Sequence, residues 1–209
     1  MINRAAAGAL VLIVTAAPLA AAPMRVALLV DTSAGTSSAI VQIRAGVSAF
    51  LEALPPEHEV VLVTTGRHTQ VRVAPTTDRS KLKASAAGML PDNGPTALMD
   101  ALTEVDDRFM KKAGDRSPVF VILTGDGSEN SKDVDEQGFN RWMAEIARRG
   151  VAVSAVVLKT TGHGLPDFIA STLVKATRGH YTSLSNGGGM AETLTALAAQ
   201  LTADAARGR

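Results

Sequence analysis

From residue 24 onward, continuous apolar runs alternate with stretches whose apolar residues recur every three or four positions. The run MRVALLVD, starting at Met24, has no polar alternation, as expected of a parallel strand buried on both faces. Ile40, Ile43, Val47, Phe50, Leu51 and Leu54 then keep helical spacing until Pro55 and Pro56 end it. HEVVLVTT predicts a second buried strand, whereas TQVRVAP alternates and predicts an edge strand. A weaker helical stretch, DRSKLKASAAGML, leads into the loop PDNGPT. Leu98, Leu102, Val105 and Phe109 mark a well-patterned helix closed by Gly114.

The second half repeats the alternation. SPVFVILTGDG predicts a buried strand and SENSKDVDEQG a polar loop. A helix follows with Phe139, Trp142, Met143 and Ile146 facing inward. VAVSAVVL is a further strand, 165–176 a helix stopped near Gly179, HYTSL a short strand, and 190–206 a final helix. Strands alternating with helices through short loops imply an α/β domain: a doubly wound, mostly parallel six-stranded sheet with helices on both faces. No repeat or low-complexity linker divides residues 24–206, so one domain is expected. Asp100, Glu104, Asp106 and Asp107 read as a solvated helix face, and the acidic loop after Gly127 as surface polarity.

The first 22 residues follow a different logic. Arg4 precedes AAAGALVLIVTAAPLA, which runs without charge into small residues, the pattern of a secretory signal peptide. That stretch is shorter than the roughly 20 residues a spanning helix needs, so export to a periplasm or beyond the cell is expected. A retained anchor is the alternative, and no other membrane insertion is implied. There is no Cys, so an exported chain would owe its stability to its core alone. The formal net charge is +1, and Arg4 is the one charged residue among the first 22, so the remainder sums to zero. A neutral domain carries no electrostatic footprint for nucleic acid.

Candidate chemistry lies where strands stop. Asp31 ends the first strand and Asp126 follows the fourth. In a 3-2-1-4-5-6 sheet, the first and fourth strands are neighbours at the point where strand order reverses, the usual place for a ligand crevice. Two carboxylates delivered there repel each other, and no Lys or Arg lies near them in sequence. A small hard cation with oxygen ligands would relieve that repulsion.

LLVDTSAG, GPTALMDAL and VILTGDG together resemble a von Willebrand factor type A domain with its metal-ion-dependent adhesion site, and the likeness runs in order over about 24–205. The resemblance implies the doubly wound fold and a site of Asp31, Ser33, Thr96 and Asp126. Ser33 and Thr96 would touch the ion directly, while Asp31 and Asp126 would act mostly through water. It also implies Mg²⁺, or Mn²⁺ or Ca²⁺, and a protein partner that completes the shell with its own carboxylate, with no catalysis. The contact rim would comprise 31–38, 92–96 and 125–130. One position departs from the family: Gly35 stands where the family has a second Ser. Weakened or lost metal binding is therefore an alternative, with Thr36 or Ser37 as substitute ligands.

GDGSEN is also similar to the acidic motif of haloacid dehalogenase-like phosphatases, which use Mg²⁺ on a related sheet. Those enzymes need an acid/base Asp two residues after the nucleophile, where this chain has Ser33. His58, His68, His163 and His180 have no zinc-site spacing.

Overall fold

Met24–Asp31 form the central strand β1, and all but one of its residues are buried. In a computed structural model that describes residues 22–160 and 164–208, β1 lies between two parallel neighbours, β2 (Glu59–Thr65) and β4 (Ser117–Gly125). Beyond β4 come β5 (Ala152–Leu158) and the short β6 (Tyr181–Leu184), both parallel. The polar alternation of β3 (Gln70–Thr76) places it at the other edge, antiparallel to β2. The order β3-β2-β1-β4-β5-β6 is the expected six-stranded, mostly parallel sheet. Among the described residues, no helix is long and apolar enough to cross a membrane. The leader segment lies outside the described residues apart from Ala22, as does His163.

Alternate side chains of each strand feed two separate cores, because successive Cβ atoms point to opposite faces. Val26, Leu28 and Val30 pack with α1 (Ile40–Ala53), α2 (Arg79–Ala87) and α6 (Met190–Ala206). Ala27 and Leu29 pack with α3 (Leu98–Arg108), α4 (Glu136–Arg148) and α5 (Leu165–Thr177). Local signals set the helix ends. Asp78 and Asp135 cap α2 and α4 by accepting the N–H groups of Lys81 and Gly138. Gly150, at φ +73°, supplies the left-handed turn after α4.

One expectation is overturned. Asp106 is not on a solvated face; it is fully buried. Its carboxylate accepts Trp142 Nε1–H at 2.9 Å and two bonds of 2.7 Å from Arg149 Nη2, joining α3 to α4. The reason is spacing: Asp106 lies four residues after the buried Leu102 and so points to the same inner side. Asp100 is likewise engaged, accepting the N–H groups of Lys132, Asp133 and Val134 and so fixing the loop after β4.

The entrance to β1 carries a titratable lock. The Met24 N–H donates to Nδ1 of the buried His58 at 3.0 Å. Burial lowers the His58 pKa below 6.5, Arg79 and Arg116 lower it further, and Glu57 opposes them. A His held neutral in the fold but free to protonate when unfolded adds stability above the unfolded pKa, and that stability fades as pH falls. The native protein should therefore lose urea stability below about pH 6.5 more steeply than His58→Gln. Parallel pH profiles of the two proteins would contradict this account.

Candidate metal centre

Asp31 ends β1 with its side chain 1% exposed. One carboxylate oxygen accepts the Ser33 N–H at 2.7 Å. The other accepts the Thr124 hydroxyl at 2.9 Å and the Gly125 N–H at 3.2 Å, both from the end of β4. Burial raises the Asp31 pKa, and these bonds, with the Ser33 hydroxyl, hold it back only in part. Among the described residues no cation pairs with Asp31. It is a buried carboxylate held by neutral donors.

The other three sequence-predicted residues converge on this end of the sheet. Ser33 is buried where a short 3₁₀ turn, Ala34–Ala39, begins. Asp126 directly follows the residue whose N–H holds Asp31; it is buried, donates its own N–H to Leu158 O, and accepts the Thr160 hydroxyl at 3.0 Å. Thr96 is buried ahead of α3, and an isolated bridge with Glu129 ties it to the segment after Asp126: its N–H reaches Ser128 O, and its carbonyl receives Asn130 N–H. Its hydroxyl donates to that of Thr65, which stands opposite Asp31 in the β1–β2 register.

Three hydroxyls of this neighbourhood, on Thr65, Thr124 and Thr160, were not singled out from sequence. A Thr at a strand end looks like ordinary β-propensity, and only strand adjacency reveals its direction. Glu129 was read as loop polarity, yet its carboxylate is half-buried and accepts the Leu98 N–H at the start of α3. Burial raises its pKa against bonds from Ser131 and Leu98. The capping of α3 by a residue 31 positions away could not be read locally.

Gly35 now has a structural reason. A Cβ there would lie 3.1 Å from the Cα and N of Gly127, and a Cβ on Gly127 would lie 3.2 Å from the Gly35 Cα. The loop after β1 and the loop after β4 thus touch backbone to backbone. The substitute ligands are committed elsewhere: Thr36 donates to Asp31 O and Ser33 O, and Ser37 to Ala34 O.

The donor set fits a hard divalent cation: two carboxylates and the hydroxyls of Ser33 and Thr96, all oxygen, at the carboxyl ends of β1 and β4 and the entry to α3. Asp31 supports the fit best, because a buried carboxylate without a cationic partner is costly to keep ionised. Above these residues a shallow groove of about 530 Å³ opens between Gly35, Asn93, Pro95, Ser128 and Thr160. No cluster of three or more His, Cys, Asp or Glu capable of holding a metal occurs among the described residues, so a metal here would depend on the hydroxyls and on water.

The sequence model of the von Willebrand factor type A domain matches residues 26–129, a span holding all four candidate ligands. None of the curated proteins matches the chain. Among solved structures the fold is shared with a von Willebrand factor type A protein from Catenulispora acidiphila: TM-score 0.72, 14% identity, 88% of this chain and 43% of that one. This chain thus spans less than half of that protein's length. Manganese-loaded TRAP protein of Plasmodium vivax gives a TM-score of 0.64 at 15% identity over 84% of this chain and 71% of the other. Proximal thread matrix protein 1 from the mussel byssus, with a zinc-occupied MIDAS motif, gives 0.68 at 14% identity over 87% and 46%.

The contact between the two loops generates a test. Gly35→Ser restores a hydroxyl but must push Gly127 aside, so it should cost about 1–2 kcal/mol of metal-free stability, the usual scale of overpacking. Urea unfolding in the presence of a chelator measures it, and an unchanged or raised midpoint would show that the Gly127 loop yields to the side chain at no cost.

Proposed function

We propose that this chain, which belongs to the von Willebrand factor type A family, is an exported interaction module that binds a protein partner through a divalent cation at Asp31, Ser33, Thr96 and Asp126. The observation that carries the reading is the Asp31 carboxylate, buried at the switch point and held, among the described residues, by neutral donors alone. A bound Mg²⁺, Mn²⁺ or Ca²⁺ would supply the missing positive charge and a coordination position for a carboxylate from the partner. The metal-loaded TRAP and thread matrix structures support a divalent ion on this fold. Export rests on the sequence of residues 1–22.

The residues have separate tasks. Asp31 and Asp126 set the negative field. Ser33 and Thr96 offer neutral oxygens, so an ion would keep net positive charge for the partner's carboxylate. Gly35 leaves one position to water. The phosphatase reading is not favoured: both Asp31 oxygens already accept hydrogen bonds inside the sheet end, a poor situation for a nucleophile. A domain that has given up its ion is the competing reading, because Gly35 offers no side-chain oxygen.

A specific ion stabilises only the folded state, so the two readings separate in a melting experiment. Mg²⁺ or Mn²⁺ at ten times its Kd should add about 1.4 kcal/mol, roughly 3–5 °C in Tm for a domain of this size. Ser33→Ala and Asp126→Ala should remove the shift. No shift in the native protein at millimolar metal would leave the ion-free reading standing.

A further inference from the structure

The turn between β2 and β3 stands beside the candidate metal centre and divides two grooves of different charge pattern. Asp92 fastens it there: its carboxylate accepts the Arg67 N–H at 2.6 Å and the Gly94 N–H at 2.9 Å. Asp92 N–H in turn reaches Thr32 O, and Gly94 O receives Ala34 N–H. Thr32 and Ala34 flank Ser33, so the turn is held against the loop that carries the candidate ligands.

Along the solvent side of α3, a groove of about 870 Å³ is lined by Asp100, Glu104, Asp107 and Asp133 with Arg67 and Lys132. Asp100 is bonded to three backbone N–H groups, and Glu104 and Asp107 pair with Arg108 and Lys111. On the other side of the turn, a groove of about 610 Å³ runs from Thr32 past Arg67, His68 and Arg72 to Leu90 and Pro91. Its one carboxylate, Asp92, is already committed to the two backbone N–H groups. Among the described residues, Arg72 reaches neutral acceptors alone: Gln70, Ser85 O and Gly88 O. Arg67 is exposed, and its guanidinium has no partner among the described residues. Leu90 is 72% exposed at the lip. A cationic groove with an aliphatic lip therefore opens beside Ser33, and a groove lined by partnered carboxylates lies across the turn.

From this polarity we infer that the partner docks an extended acidic–aliphatic segment along the Thr32–Arg72 groove. The segment's second carboxylate meets Arg67, and an aliphatic side chain covers Leu90. The inference rests on the proposed metal centre, which takes the first carboxylate, and it fixes the direction in which the segment leaves that centre. An acidic segment is attracted to the Arg67–Arg72 side, whereas the Asp100–Asp107 side offers it carboxylates whose own partners are already in place. Arg67 suits the task because a guanidinium binds a carboxylate through two parallel N–H groups.

The test uses random heptapeptides displayed on phage, selected on the full chain in Mg²⁺, with winners resynthesised and their Kd measured by fluorescence anisotropy. Two acidic residues and an aliphatic one should be enriched. Arg67→Ala should weaken the two-acid peptide about five- to tenfold and leave its one-acid counterpart unchanged, the coupling expected of a direct pair. Winners with a single acidic residue, basic winners, no winners, or equal losses for both peptides would overturn the inference. A chelator separates the two layers of the account. If two-acid peptides bind equally well with and without metal, the metal reading has failed while the groove stands. If two-acid peptides bind only with metal and are no weaker on Arg67→Ala, the groove has failed while the metal reading stands.

Discussion

A carboxylate buried at the end of β1 is the constraint on which the rest of this site depends. Asp31 could relax if a Lys or Arg were placed beside it, yet the sheet gives it a serine and a glycine N–H and two hydroxyls. Such a group is poorly stabilised when ionised, and burial raises its pKa accordingly. Surrounding elements hold it there nonetheless: β4 clasps one oxygen and the turn after β1 the other. Local electrostatic cost maintained by a well-packed scaffold is a familiar mark of sites that bind something. The two cores on either side of the sheet provide the scaffold.

The fold supports the same end of the sheet from several directions. Thr65 of β2, Thr124 of β4 and Thr160 beyond β5 each bring a hydroxyl, because parallel strands all finish at one pole. Asp100 and Glu129 fasten the loop after β4 to α3, and Asp92 fastens the β2–β3 turn to the loop after β1. Each is an acidic side chain bonded to backbone N–H groups, which lets irregular loops keep their polar groups satisfied. Acidic residues in this chain thus do two jobs: several order loops, and two are buried at the strand ends where an ion would sit.

Much of the architecture was legible in the sequence because apolar periodicity changes cleanly between strands and helices. The uninterrupted MRVALLVD and VFVIL runs could only be buried strands, and the alternation in TQVRVAP marked the edge. Asp31 and Asp126 were legible for the same reason, since the first ends such a run and the second stands three residues after one. Asp106 was not, although its place four residues after Leu102 puts it on the apolar face; its charge outweighed its spacing in the reading. Thr65 and Thr124 looked like strand residues, which they are, and only the pairing of β2, β1 and β4 shows that they also face Asp31 and Thr96. Gly35 read as a missing ligand, and only the neighbouring backbone of Gly127 gives it a positive role.

The central claim is that neighbouring strands deliver oxygen ligands to one divalent ion. Crystals soaked in Mn²⁺ and measured at the manganese absorption edge test it most directly. The account predicts an anomalous peak within coordination or water-bridged reach of Asp31, Ser33, Thr96 and Asp126. A clean anomalous map at that position, with manganese absent from a fully accessible crevice, would contradict it.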